Sequence, residues 1–305
     1  MTPADKLPAT KLSATKLSAT RLPAIDAHHH FWDPNKGDYP WMVGPVLPIR
    51  RVFTPDDMRP LLAPAGVQKT ILVQTWSSLQ ESQSFLALAE ATDYVAGVVA
   101  WVDLTAPDVG EKLDNLVAGP GGKWLVGIRH QVHDESDPRW LCRPDVWRGL
   151  RAVQARGLVY DLLLRPREMP AALETVRALP DLRFVIDHIA KPEIAKDGFL
   201  QWSKLMVPFG HEANVWCKLS GMVTEADWAN WTPDQITPYI DKVLQIFGPA
   251  RCMMGTDWPV CLLASNYDRT VDLVRDAIAG LDEESQRAVL WGAAAGAYRL
   301  DEGRL

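Results

Sequence analysis

Short apolar, β-branched runs alternate with longer segments of helical periodicity from residue 24 to the C-terminus. The apolar runs, which predict strands, occupy residues 24–29, 70–76, 95–102, 124–130, 157–164, 182–188, 214–220 and 251–258. The segments that predict helices occupy residues 54–64, 78–92, 107–118, 143–156, 168–178, 199–212, 233–247, 266–279 and 283–297. The chain from residue 24 onward is therefore a series of strand–helix units.

This alternation predicts parallel strands, because a strand that returns to the same sheet through a helix makes a right-handed crossover. Eight such units close a (β/α)8 TIM barrel. An open doubly wound sheet is the alternative, but no G-x-G-x-x-G turn follows the first apolar run. We predict a single α/β domain, a TIM barrel, over residues 24–305.

The first 23 residues follow a different pattern. KLPAT, KLSAT, KLSAT and RLPAI succeed one another with a period of five, which matches neither a helix nor a strand. Their Pro, Ser and Thr content predicts a flexible, low-complexity N-terminal tail over residues 1–23. An organelle transit peptide is the alternative, since the segment is basic and poor in acidic residues.

The composition of the chain limits the classes of partner that it is expected to bind. The net charge of -6 gives no support for binding to nucleic acid or to an anionic membrane, and no run of 18 apolar residues predicts a membrane span. The four cysteines, Cys142, Cys217, Cys252 and Cys261, form no C-x-x-C pair. We therefore expect reduced thiols in a cytoplasmic protein.

Histidines and an aspartate lie where a TIM barrel carries its chemistry, at the C-terminal ends of the strands. Residues 28–30 are a histidine triplet at the end of the first run, His188 closes the sixth run, and Asp257 closes the eighth. Four of the seven histidines thus fall on two strand ends. We expect three of these imidazoles to converge with the Asp257 carboxylate.

Side chains alternate along a strand, so Asp26, His28 and His30 are predicted to point into the barrel and His29 toward the helices, as a packing residue. Two imidazoles at i and i+2 can hold a divalent metal or polarise a substrate oxygen. Asp257 is a candidate general base for a water molecule. This set of residue types is typical of hydrolytic chemistry.

Five stretches, IDAHHHFWDP, LVGIRH, FVIDHIAKP, VWCKLSGMVTEADW and MMGTDWPVC, resemble the amidohydrolase superfamily. Within it they are most similar to the amidohydrolase-related branch of sugar lactonases, the L-fuconolactonase-like proteins. The resemblance runs from about residue 24 to the C-terminus. It implies a TIM barrel whose catalytic residues are His28, His30, His188 and Asp257.

The resemblance also bears on metal content. Many two-metal members carry a bridging Lys at the end of strand four and a His at the end of strand five, where this chain has Arg129 and the Tyr160–Asp161 pair. One divalent ion at most is therefore expected, held by His28, His30 and Asp257, with His188 as a further ligand. Zinc suits such ligands. The alternative is a metal-independent enzyme in which the imidazoles themselves polarise the carbonyl.

The resemblance implies hydrolysis of a sugar lactone, L-fuconolactone or a similar aldonolactone, to the aldonic acid in carbohydrate catabolism. Asp257 would take a proton from the attacking water, while the imidazoles or their metal stabilise the oxyanion. Arg129 would hold a carbonyl or the product carboxylate. Further candidates for contact with the sugar are Trp32, Tyr39, Trp41, His130, His133, Tyr160, Asp161, Lys218 and Trp258.

Three other functions are compatible with the same residues. A metal-dependent non-oxidative decarboxylase would require a metal and release carbon dioxide. An amide or ester hydrolase of the same superfamily is the second alternative. A non-catalytic carbohydrate-binding barrel would have no use for a general base beside three imidazoles.

Overall fold

A computed structural model describes residues 21–305, so the predicted tail lies outside the described residues except for its last three. All eight predicted strands are present. They are β1 (Ala24–His29), β2 (Val67–Val73), β3 (Val95–Ala100), β4 (Leu125–His130), β5 (Val159–Leu162), β6 (Phe184–Ile186), β7 (Val215–Leu219) and β8 (Cys252–Met254).

The strands form one parallel sheet in the order β1 to β8, and every strand pairs with its neighbours in sequence. A parallel bridge between His29 and Trp258 joins the end of β1 to the segment after β8. The sheet therefore curls into a barrel, and the prediction of a (β/α)8 TIM barrel is confirmed.

Helices follow the strands and surround the barrel. Their bounds are α1 (Pro55–Ala65), α2 (Leu79–Glu90), α3 (Val109–Ala118), α4 (Pro144–Ala155), α5 (Met169–Ala178), α6 (Phe199–Met206), α7 (Met222–Glu225), α8 (Pro233–Phe247), α9 (Tyr267–Ala277), α10 (Glu283–Arg287) and α11 (Ala293–Ala297). A π-helical turn, Ala288–Gly292, joins α10 to α11. No helix in residues 21–305 is long and apolar enough to cross a membrane.

Local sequence explains where the helices begin and which face they bury. Thr54 precedes Pro55 and forms a capping box with Asp57, which satisfies backbone donors at the start of α1. In α8 the residues buried against the barrel recur every three or four positions, as the helical repeat requires. They are Ile236, Tyr239, Ile240, Val243 and Phe247.

A second apolar cluster fills the lower part of the barrel, apart from the main core between strands and helices. It takes Ile25 and Ala27 from β1, Val159 from β5 and Met253 from β8, and α11 packs against it from the C-terminal end of the chain. This packing closes one end of the barrel with apolar residues. The polar residues therefore gather at the other end, beyond the C-terminal ends of the strands.

Strand β1 contains a bulge that the sequence did not reveal. Asp26 pairs with Thr70 and His29 with Leu72, so three steps along β1 match two along β2. The extra residue shifts the alternation of side chains. The prediction that Asp26 points into the barrel is wrong, because its carboxylate accepts hydrogen bonds from Thr256 and from Tyr267 of α9.

Candidate active site

A cavity of about 360 Å³ opens at the C-terminal ends of the strands. Its size is within the range of small-molecule sites. The residues that line it are His30, Trp41, Val46, Thr75, Arg129, Gln131, His133, Asp134, Leu163, Arg165, His188, Lys191, Thr224, Glu225, Trp228, Asp257, Val260 and Leu263. The cavity therefore combines two of the predicted catalytic histidines with the predicted carboxylate.

Four predicted catalytic residues meet at the inner end of this cavity. The Nε2 atoms of His28 and His30 are 3.2 Å apart, and Oδ1 of Asp257 lies 3.1 Å from His30 Nε2 and 3.7 Å from His28 Nε2. His188 Nε2 is 3.8 Å from the same carboxylate oxygen. Residues from the ends of three different strands are thus brought within contact distance.

The protonation of His30 follows from its partner. Its Nδ1 lies 2.7 Å from the carbonyl oxygen of Val73, which can only accept a hydrogen bond. Burial lowers the pKa of His30 and so favours the neutral ring. Nδ1 therefore carries the proton, and Nε2 presents a lone pair toward Asp257.

His188 is held by an unusual backbone segment. His188, Ile189, Ala190 and Lys191 all have positive φ angles, between 47° and 59°. Gly221 packs against the ring so closely that an added Cβ would lie 2.5 Å from His188 Nδ1. Ser220 contacts the same nitrogen through its hydroxyl at 2.9 Å, and burial lowers the pKa of His188 to about 4.

Asp257 is anionic in this setting. Burial alone would raise its pKa, but the facing imidazoles of His188, His30 and His28 lower the pKa of Asp257 below the ordinary range for a carboxyl group. The pKa of His28 is itself lowered, chiefly by burial. A carboxylate thus faces imidazoles that are neutral at neutral pH, an arrangement that favours a cation or a proton between them.

Arg129 reaches the cavity from the end of β4. Its Nη1 donates to Asp187 Oδ2 at 2.9 Å and lies 3.2 Å from His28 Nε2, while Nη2 donates to the backbone oxygen of Gln74. Its Nε is buried without a partner among residues 21–305. The guanidinium is therefore fixed beside the imidazoles.

Below the histidines, the barrel holds a buried ionic network. Lys218 Nζ lies 2.6 Å from Asp161, 2.9 Å from Asp187 and 3.1 Å from His28 Nδ1. Tyr298, which follows α11, donates to Asp161 at 2.8 Å. Because two cations, Lys218 and Arg129, balance two anions, this network supports His28 without adding net charge to the site.

The geometry fits one divalent ion. Ligand atoms of a tetrahedral zinc site lie about 3.3 Å from one another, since each is about 2.0–2.1 Å from the ion. His28 Nε2, His30 Nε2 and Asp257 Oδ1 have separations close to this value. The His30 contact to a backbone carbonyl is also the second hydrogen bond that metal-bound histidines usually make. An ion here would take over His28 Nε2 from Arg129.

A second cluster, formed by His28, Asp187 and His188, fits less well. Both oxygens of Asp187 already face cations, since Oδ1 is 2.9 Å from Lys218 and Oδ2 is 2.9 Å from Arg129. The pKa of Asp187 lies well below the ordinary range: burial opposes this shift, and Lys218 and His28 cause it. Asp187 is therefore better described as the counter-ion of Lys218 and Arg129.

Comparison with known proteins shows the family to which this chain belongs. The Amidohydrolase family matches residues 25–300, nearly the whole described barrel. The chain belongs to the amidohydrolase family. A protein of Burkholderia ambifaria named L-fucono-1,5-lactonase is 39% identical to this amidohydrolase over 245 residues, covering 80% of this chain and 82% of the relative.

Two further comparisons cover more of the amidohydrolase. An L-fucono-1,5-lactonase of Burkholderia multivorans is 36% identical over 290 residues, 91% of this chain and 96% of the relative. A crystal structure of an amidohydrolase from Burkholderia multivorans with bound zinc superimposes with a TM-score of 0.86 at 34% identity, covering 91% of this chain and 99% of that one.

Some of the predicted sugar-contacting residues line the cavity and others do not. Arg129, Trp41 and His133 line the cavity of the amidohydrolase. Asp161 and Lys218 do not, because both are fully buried in the ionic network. The roles of all five residues in substrate binding stay predictions.

Five other candidates also lie outside the cavity lining, with Tyr160 as the clearest case. Tyr160 packs against Phe184 on the helix side of the sheet, because its neighbour Asp161 takes the inward position. His130 stacks on Trp140 with 4.3 Å between ring centroids. The remaining three, Trp32, Tyr39 and Trp258, are buried in aromatic packing around Phe53 and Trp76.

Sequence reasoning gave no role to Asp187, Lys191 or Glu225. Asp187 precedes His188 at a strand end, and this position could have marked it as a partner of the inward-facing Arg129. Lys191 and Glu225 form an ion pair on the cavity wall. No sequence signal joins them, because they are 34 residues apart and meet only through the loops after β6 and β7.

Proposed function

We propose that this amidohydrolase opens the ring ester of a sugar lactone, L-fucono-1,5-lactone or a similar aldonolactone, to the aldonic acid in carbohydrate catabolism. The observation that carries the proposal is the convergence of Asp257 with His28, His30 and His188 at the inner end of a cavity of about 360 Å³. The relatives named L-fucono-1,5-lactonase, at 36% and 39% identity, support the substrate class.

Asp257 is the proposed general base. Its carboxylate is ionised at neutral pH and lies beside the space that the substrate carbonyl would enter. It would accept a proton from the water that attacks the carbonyl carbon, and later return that proton to the ring oxygen as the C–O bond breaks. The net reaction adds one water to the lactone and yields a hydroxy acid.

A pKa below the ordinary range makes Asp257 a weak base, so the attacking water needs further activation. His30 cannot donate from Nε2 while its Nδ1–H is bound to Val73. This favours His28, His30 and Asp257 as ligands of one divalent ion, with His188 near the same carboxylate. When bound, zinc would lower the pKa of water and polarise the carbonyl.

Arg129 and His188 are the remaining groups that can act on the substrate. Arg129 has donors fixed by Asp187 and Gln74, so its guanidinium needs little reorganisation to stabilise a developing oxyanion. His188 lines the same cavity as Arg129 and Asp257. We propose that both orient the lactone toward Asp257.

Turnover of a panel of aldonolactones tests the proposal, with acid release as the readout. The parent and D257N are compared, because Asn keeps the shape of Asp257 but cannot accept the proton at neutral pH. We expect the rate to fall by a factor of about 100 to 10,000 in D257N. Equal rates in the two proteins would exclude Asp257 as the base.

Metal analysis of the same preparation tests the ion, and chelation followed by metal addition tests its role. Loss of activity on chelation, restored by zinc, is the expected result. Release of carbon dioxide from an aromatic acid, with no acid released from any lactone, would instead support the decarboxylase.

A further inference from the structure

Lys191 and Glu225 form an ion pair on the wall of the catalytic cavity that the proposed hydrolysis does not use. Lys191 Nζ donates to Glu225 Oε1 at 2.8 Å. The Lys191 side chain is 14% exposed and that of Glu225 is 12% exposed, so both are largely shielded from solvent. Both line the same cavity as His188 and Asp257.

The pair is placed there by two turns whose backbones have positive φ angles. Lys191 ends the left-handed run that begins at His188, and its backbone N–H donates to the carbonyl oxygen of His188 at 2.8 Å. Glu225 ends α7, which begins after Gly221, the residue packed on the His188 ring. The same two turns thus position His188 and the ion pair.

Each partner has hydrogen-bonding capacity left over. An ammonium group has three N–H donors, and only one is needed for Glu225 Oε1. Glu225 Oε2 faces Arg165 Nη1 at 4.0 Å, which is beyond hydrogen-bond range. The pair therefore offers unused donors and an unused acceptor to the cavity.

We infer that the Lys191–Glu225 pair recognises hydroxyl groups on the ring of the substrate and so selects a neutral, polyhydroxylated lactone. A hydroxyl both donates and accepts, and it can therefore bridge Lys191 and Glu225 at once. An unsubstituted ring would leave the unused donors of Lys191 and the unused acceptor of Glu225 without partners, which disfavours its binding. This inference rests on the proposed function.

The carboxylate also distinguishes neutral from anionic substrates. Lys191 and Arg165 alone would make this wall a site for an anionic substituent, whereas Glu225 lies between them and would repel one. A neutral hydroxyl is not repelled. The geometry therefore favours an uncharged sugar lactone over a lactone that carries a carboxylate substituent.

The test compares kcat/KM for L-fucono-1,5-lactone with kcat/KM for δ-valerolactone, which has the same ring size and no hydroxyls. The variant K191Q/E225Q removes both charges together, so that neither is left unpaired. We expect the ratio of the two kcat/KM values to fall by about 10- to 100-fold, as for lost hydrogen bonds to charged groups. K191R, which keeps the charge and its donors, should retain most of the selectivity.

E193Q/K196Q is the matched control. Glu193 and Lys196 form an ion pair of the same residue types at 2.7 Å, but both side chains are exposed and neither lines the cavity. Its selectivity ratio should equal that of the parent. A thermal unfolding curve for each variant identifies any loss of the folded state, and E225Q alone provides the measurement if the double variant does not fold.

The outcomes separate the two proposals. If the parent opens sugar lactones but K191Q/E225Q leaves the ratio unchanged, the inference is overturned and the proposed function stands. A parent that shows no preference for the neutral lactone over a carboxylated one, or an E225Q variant that keeps the full preference of the parent, would also overturn it. If the parent opens no lactone, both proposals fail.

Discussion

His30 Nδ1 donates its proton to the carbonyl oxygen of Val73 at 2.7 Å, and this contact fixes which nitrogen faces the cavity. The other nitrogen, Nε2, lies within 3.2 Å of His28 and 3.1 Å of Asp257. A hydrogen bond to the backbone of β2 thus determines which nitrogen of His30, at the end of β1, is free to bind a cation or a proton. The site combines lone pairs and a carboxylate, which together favour a bound cation.

The histidine triplet gives the first prediction. H28N and H30N should lower kcat for the aldonolactone about 100-fold or more, because each removes a group that contacts the reacting centre. H29N should keep kcat close to that of the parent, since His29 Nε2 bonds to Thr70 Oγ1 at 2.8 Å, outside the cavity. Steady-state kinetics on the purified variants checks this ranking.

H29N should nevertheless reduce the free energy of unfolding by about 1–3 kcal/mol, because Thr70 loses a buried partner. Urea unfolding measures this loss. A kcat for H29N as low as that for H28N would contradict the assignment of the inward-facing pair.

Lys218 gives a prediction about stability. K218M should lower the free energy of unfolding by about 3–5 kcal/mol, because it leaves Asp161 and Asp187 buried with less compensating charge. D161N/K218M should lose less than K218M alone, since one of the two carboxylates is removed with the ammonium. K196M, at an exposed ion pair, is the control and should stay close to the parent.

Urea unfolding of the four proteins provides the comparison. A double variant that is less stable than K218M would show that the charge balance does not govern the network.

Gly221 gives a prediction that links backbone and activity. In G221A the new Cβ would lie 2.5 Å from His188 Nδ1, and φ at this position is 65°. We expect a loss of about 1–2 kcal/mol from the backbone conformation alone, and a fall in kcat because the ring must move. G280A is the matched control, since no atom lies within 4 Å of the Cβ position there.

Unfolding and kinetics are measured on both glycine variants. Unchanged kcat in G221A would show that the position of His188 is not critical for the reaction.

Glu81 gives the prediction about pH. Burial, the largest effect, raises the pKa of Glu81 to about 7, against the hydrogen bonds from Thr75 and Trp76 that lower it. A raised pKa in the folded state means that the contribution of Glu81 to stability is full below its unfolded pKa near 4.5 and is lost as pH rises through 7. In E81Q this loss should be absent.

Gln can keep the same contacts, because its oxygen can accept from the Thr75 and Trp76 amides and its NH₂ can donate to the Thr75 hydroxyl. Between pH 5 and pH 8 the parent should lose about 2–3 kcal/mol more of its free energy of unfolding than E81Q loses. Urea unfolding at the two pH values measures the difference. Parallel losses in parent and variant would show that Glu81 does not titrate in this range.

The sequence was informative where local pattern and fold topology agree. Apolar runs located all eight strands because each parallel strand is buried on both faces. The closed barrel then brings the strand ends together, so that His188 and Asp257, 69 residues apart in sequence, meet at one cavity.

The sequence was less informative about side-chain direction. The bulge in β1 reversed the expected orientation of Asp26, and no residue type within β1 marks the extra position. Aromatic residues near the strand ends were equally ambiguous, since Trp41 lines the cavity whereas Trp258 packs against Phe31 and Phe53.

The sequence by itself determined the barrel, the ends of its strands and the residue types available there, because these depend on periodicity and chain order. The tertiary structure alone decided which charges compensate one another. The partners in the Lys218–Asp161 and Lys191–Glu225 pairs come from different strand–helix units, and only the closed barrel places them within hydrogen-bond distance. The physical reason is that burial makes an unpaired charge costly, so the final pairing depends on the whole packed interior.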